Sequence, residues 1–159
     1  RDLIIKDIYM REIKFRVWDN DFKKMLLVND AKFVDGVLIG AKGINWDSKV
    51  IVQQFTGLKD KNGKDIYEGD IMKVLDRDWS DIEKDTKTYI VHFAEGEFKL
   101  CSEEQIEEYK KDYNERDYYN PKAYETRINK LYGRDRFEVI GNTFENPELL
   151  PANHNQSAS

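Results

Sequence analysis

Four dipeptides ending in glycine, Asp35-Gly36, Asn62-Gly63, Glu68-Gly69 and Glu95-Gly96, divide the first hundred residues into short hydrophobic stretches. Asp35-Gly36 lies between "KFV" and "VLIG", and a two-residue turn wants positive φ at both central positions, so the chain is expected to reverse there between paired strands. "TYIVHFA" (88–94) and "EFKLC" (97–101) flank Glu95-Gly96 in the same way. Near the start, Ile13, Phe15 and Val17 alternate with Lys14, Arg16 and Trp18. That period of two predicts a half-buried strand with its charged face outward. "KMLLV", "KVIVQQF" (49–55), "IMKVL" (71–75) and "RFEVIG" (136–141) supply further strands. The series predicts an α+β, mainly β fold: a strongly bent antiparallel sheet or small barrel over about 11–101, finished by "RFEVIG".

Helices interrupt this pattern once. Ser102 followed by Gln105 has the form of a capping box, in which hydroxyl and amide satisfy the orphan N–H groups of a helix start. Behind it, Ile106, Tyr109 and Tyr113 form a narrow apolar stripe on an acidic segment. A second helix is expected from the N-cap Asn120 and Pro121 to Gly133, with Tyr124, Ile128, Leu131 and Tyr132 on its face. The two read as a helical hairpin inserted at about 103–132. One domain is therefore expected over 10–150. Residues 1–9 read as a leader or upstream extension, and 151–159 as a polar, disordered tail.

Composition limits what such a domain can do. The chain has 159 residues and a net charge of −5, so it has no general attraction to nucleic-acid phosphates or anionic lipid. Nucleic acid is disfavoured on that ground, and no apolar run is long enough to span a bilayer. Cys101 is the sole cysteine, which excludes an internal disulfide and suits a reducing, cytoplasmic setting.

Candidate chemistry is thin. "FTGLKDKNGKDIYEGDIMKV" (55–74) is dense in acids and glycine, yet fails as a calcium loop. Counted from Asp60, Lys64 occupies a ligand position, Asp65 stands where glycine is required, and Ile71 replaces the closing Glu. Asn62-Gly63 reads instead as a tight hairpin turn, and Glu68-Gly69-Asp70 as a second turn whose Asp70 accepts backbone N–H bonds. Glu68 and Asp70 as an acid pair would need a cleft that separates their pKa values. A solvated turn is the plainer reading. His92 points away from the face of Tyr89, Val91 and Phe93, and His154 lies in the tail. Two histidines and one cysteine make no zinc site. No catalytic residue, metal or cofactor is assigned.

Three blocks, "MREIKFRVWD" (10–19), "FTGLKDKNGKDIYEGDIMKV" (55–74) and "FEVIGNTFENPELL" (137–150), stand in that order. Together they resemble the YopX family of phage and prophage proteins. The resemblance implies a mainly β, α+β fold, a phage or Gram-positive prophage origin and self-association. It implies no activity and carries over no catalytic residues.

The expected role is binding, by a homo-oligomer that also engages a host or phage protein. Trp18, Tyr67, Glu68, Asp70, Tyr109, Tyr113, Tyr118 and Tyr119 are the candidate partner residues, and the helical insert the expected self-association surface. Arg11, Lys14 and Arg16 beside Trp18 keep open a second reading, a small β-barrel that binds nucleic acid. A metal-assisted or acid-pair hydrolase is the third.

Overall fold

The computed structural model describes residues 12–46, 49–77, 83–94, 96–106, 126–127 and 137–150. Eleven strands follow one another: β1 (Phe15–Asp19), β2 (Lys24–Leu27), β3 (Lys32–Val34), β4 (Val37–Gly40), β5 (Val50–Lys59), β6 (Asp65–Tyr67), β7 (Asp70–Arg77), β8 (Glu83–Ala94), β9 (Glu97–Cys101), β10 (Thr126–Arg127) and β11 (Phe137–Asn142). Every pairing is antiparallel. The strand orders are β2-β1-β5-β6, β10-β9-β8-β7-β11 and, for a separate ribbon, β3-β4. Among the described residues the fold is mostly β, curled as a half-barrel, with very little helix. This is the mainly β, bent-sheet class that the sequence predicts.

Local chemistry explains the turns. Asp35 and Gly36 both take positive φ, 49° and 79°, and Val34 faces Val37 across the two-residue turn. The strands of the larger sheet are buried on both faces over much of their length, since Ile71, Ile90, Lys99 and Cys101 are as buried as their neighbours Met72, Val91 and Leu100. Val91, Phe98 and Leu100 point into a core with Ile66, Met72, Phe137 and Val139, edged by Leu58, Val74 and Tyr89. His92 belongs to the other face and sits opposite Lys99.

Three expectations change. β1 is not a half-buried strand: Arg16, Val17, Trp18 and Asp19 are all buried, while Ile13 is 66% exposed. It lies between β2 and β5 in the sheet, both of its faces are buried from Arg16 to Asp19, and such a strand loses its in-out alternation. The Asn62-Gly63 turn is a five-residue connection between Lys59 and Asp65, not a two-residue one, because the Asp60 carboxylate organises it. Finally, Thr126–Arg127 pairs with β9 as a strand, within the span expected to form the second helix. Extended residues there end the continuous helix from Asn120 to Gly133. The other residues of that helix, and the first helix beyond Ile106, lie outside the described residues. The start of the insert is as expected. Ser102 N–H donates to Gln105 Oε1 at 2.7 Å, Gln105 N–H donates to Ser102 Oγ at 3.3 Å, and a helical turn occupies 103–106.

Candidate functional site

The three sequence blocks converge on one junction between the sheets. Arg16 on β1 reaches across β5 and donates from Nη2 to Asp70 Oδ1 at 2.6 Å and from Nε to Gln53 Oε1 at 2.7 Å. Asp70 Oδ2 accepts the Tyr67 N–H at 2.8 Å, as the turn reading predicts. The Arg16 guanidinium lies 4.8 Å from the Tyr67 ring centre. All four side chains are buried. A charge this deep is tolerable only with a partner and filled hydrogen bonds. Arg16 and Asp70 have both.

Between them the chain turns at Gly69, whose N–H donates to Val91 O on β8 at 2.8 Å and whose carbonyl accepts Thr143 N–H at 2.9 Å. Its φ is +77°, and a Cβ there would stand 2.0 Å from Gln53 Nε2. Only glycine meets both demands. Glu68 accepts backbone N–H groups of Gln54 and Phe93, which partly offset the burial that pushes its carboxyl above the usual range. Burial also pushes Asp70 up, against the pull of Arg16 and the Tyr67 N–H.

The second half of the junction is organised by Asp60. Its Oδ1 accepts Asn62 and Lys64 N–H at 2.8 and 2.9 Å, and its Oδ2 accepts Val139 N–H at 3.0 Å. Burial opposes the charge, yet the three N–H groups outweigh it and leave the carboxyl below its ordinary pKa. One acid thus shapes the 60–64 turn and ties it to β11. The acid that might have opened a calcium loop is spent on backbone donors. Asn142 Oδ1 accepts Phe144 and Glu145 N–H at 3.0 and 2.9 Å, which presents Phe144 to Trp18. Those rings stack at 5.5 Å.

Beside the junction runs an open groove of about 650 Å³, with Arg16 and Tyr67 in its lining. Met25, Leu27 and Val28 of β2 and its following residue supply an apolar side, and Lys14, Lys59, Lys64 and Asp65 a charged one. Lys14 Nζ lies 2.9 Å from Asp65 and 3.0 Å from Glu12, and Lys59 joins the same Asp65 carboxylate. Lys59 chiefly, with Lys14 adding and burial opposing, holds Asp65 below its ordinary pKa. Lys14 is raised in turn, first by Asp65.

Of the residues singled out from sequence, the structure brings Arg16, Trp18, Tyr67, Glu68 and Asp70 together at the junction, with Lys14 at the groove. Trp18, Tyr67 and Asp70 are buried there. Arg11, Tyr109, Tyr113, Tyr118 and Tyr119 lie outside the described residues. Sequence reasoning weighed Asp60, Lys64 and Asp65 only as a failed calcium loop and did not single out Gln53 or Lys59. Lys64 beside Asn62-Gly63 was the visible signal for the groove. Cys101 is fully buried, and burial pushes its thiol up to about 11, which makes it a poor nucleophile. No group of three or more His, Cys, Asp or Glu among the described residues could hold a metal ion. No helix among them is long and apolar enough to cross a membrane.

The molecule is thus a half-barrel β domain whose sheets are locked by one polar junction, with an amphipathic groove alongside. The family model for the YopX protein matches residues 14–151, and the chain belongs to the YopX family. The crystal structure of protein EF1440 from Enterococcus faecalis is similar, at 28% identity and a TM-score of 0.53, covering 89% of this chain and 100% of that one. Protein yopX from Bacillus subtilis shares the fold at 20% identity and a TM-score of 0.51, with the same coverage of 89% and 100%. No curated protein matches the chain.

Proposed function

We propose that the protein is a phage or prophage accessory protein that works in the host cytoplasm by binding proteins, copies of itself among them, and not by catalysis. The observation that carries this reading is the β3–β4 ribbon. Val34, Val37 and Ile39 are each more than half exposed, Phe33 is nearly so, and Leu27 of neighbouring β2 is 65% exposed. Phe33 meets Phe15 at 5.7 Å, which joins the ribbon to the groove lining. Exposed apolar side chains gathered on one short ribbon mark a contact site, and a lone two-stranded ribbon gains stability when something packs on it.

The nucleic-acid alternative draws support from the groove lysines and loses it at Arg16, which is buried on Asp70. The hydrolase alternative asks for a cleft lined by Glu68 and Asp70, and the groove lining includes neither. Sedimentation velocity of the intact chain at tens of micromolar tests the reading. Concentration-dependent association that falls when Val37 and Ile39 become threonine supports it. A monomer throughout, or tight salt-sensitive binding of an oligonucleotide, overturns it.

A further inference from the structure

We propose that the groove receives the acidic segment 103–117 of a second copy of the chain. The inference rests on the self-association reading above and names the surface that carries it.

Charge is the first argument. Four cations, Lys14, Arg16, Lys59 and Lys64, line the groove against one carboxylate, Asp65. Setting Arg16 against Asp70, its buried partner, Lys14 against Glu12 and Lys59 against Asp65 leaves Lys64 as a surplus positive charge. Glu12, which also bonds Lys14, lies outside that lining. The whole chain carries −5, so this groove is a local reversal of the molecule's own sign. Segment 103–117 holds seven acids against three bases, a net charge of −4. Opposite potentials steer encounter and fix register.

The second argument is the shape of the chemistry. The groove is amphipathic: Met25, Leu27 and Val28 share its lining with the lysines. An occupant must offer apolar side chains beside its acids, as Ile106, Tyr109 and Tyr113 do within 103–117. A simple anion would leave the apolar side wet, and an apolar peptide would strand the ammonium groups. The segment supplies both. Donor segment and receiving groove are different surfaces, so the contact closes either as a reciprocal exchange in a two-fold dimer or head to tail in a ring.

The test is a charge swap in the full chain. Lys59→Glu with Lys64→Glu reverses two groove cations whose side chains reach solvent. Glu107→Lys with Glu108→Lys reverses two acids of the donor segment. By sedimentation velocity, each double variant should associate about tenfold more weakly than the parent, and an equimolar mixture of the two should recover most of the loss. Thermal unfolding confirms that each variant is folded. Lys64→Glu alone, on the exposed 60–64 turn, serves if the groove double variant is not.

Association that persists unchanged in the groove variant overturns the groove and leaves self-association standing. A parent chain that is monomeric at tens of micromolar overturns both. A labelled single-stranded oligonucleotide that dissociates the assembly and no longer binds the groove variant assigns the groove to nucleic acid and overturns the peptide occupant.

Discussion

The junction around Gly69 and the β3–β4 ribbon are both short antiparallel pieces with a glycine turn, but they are finished in opposite ways. At the junction, polar atoms of buried residues meet partners far along the chain: Arg16 with Gln53 and Asp70 at separations of 37 and 54, Asp60 with Val139 at 79. The ribbon pairs only with its own next strand and leaves Val34, Val37 and Ile39 in water. One region spends its chemistry on closing the fold. The other leaves apolar surface exposed, and it is there, with the adjoining groove, that the proposed self-association would take place.

The contrast breaks most sharply at Asp70. Replacing it with alanine strands the Arg16 guanidinium in the interior, and urea unfolding should show a loss of about 3–5 kcal/mol. Arg16→Met with Asp70→Leu should recover much of that loss. The recovery is partial, because the Tyr67 N–H loses its acceptor. Gly69→Ala comes next, at about 2–3 kcal/mol by the same measurement. The residue must hold φ +77° and push aside the Gln53 amide that helps hold Arg16.

Asp60→Asn should cost about 1–2 kcal/mol, and it also has a pH signature. A carboxyl held below its ordinary pKa contributes fully above that ordinary value, about 4, and the contribution fades as pH falls through the lowered one. Glu68, pushed up by burial, acts with the opposite sign: as pH falls from neutral toward about 4, its protonation favours the folded state. Unfolding free energies from pH 7 to 2 should therefore fall below about pH 4 in the parent and fall less steeply in Asp60→Asn.

Smaller again is the coupling between Trp18 and Phe144, about 0.5–1.5 kcal/mol in a double-mutant cycle to leucine. Smallest is the ribbon. Val37→Thr with Ile39→Thr should leave unfolding free energy within about 0.5 kcal/mol while weakening association by sedimentation. A large stability loss there would erase the distinction between the two regions.

Residues that act on their own neighbourhood were legible in the sequence. Asp35-Gly36 turns where it must, Ser102 and Gln105 cap each other, and Asp70 takes the Tyr67 N–H three positions back. His92 stands on the predicted face. Each follows from φ preference, or from donors and acceptors within a few residues, which a linear reading contains. The span from Asn120 to Gly133 shows the limit of such signals, since Thr126–Arg127 takes the extended form beside β9. There pairing to a neighbouring strand prevailed over helix propensity.

What the tertiary structure alone decided is which of these local pieces are inside. Arg16 reads as an outward cation in any period-two pattern, because the pattern knows two faces and not what covers them. Its burial depends on an acid 54 positions away. The same holds for Asp60, whose third hydrogen bond comes from the other end of the domain, and for the groove, whose lysines and aliphatic residues come from separate strands. Desolvating a charge is unfavourable until its partner arrives, and the partner arrives only when the sheets close.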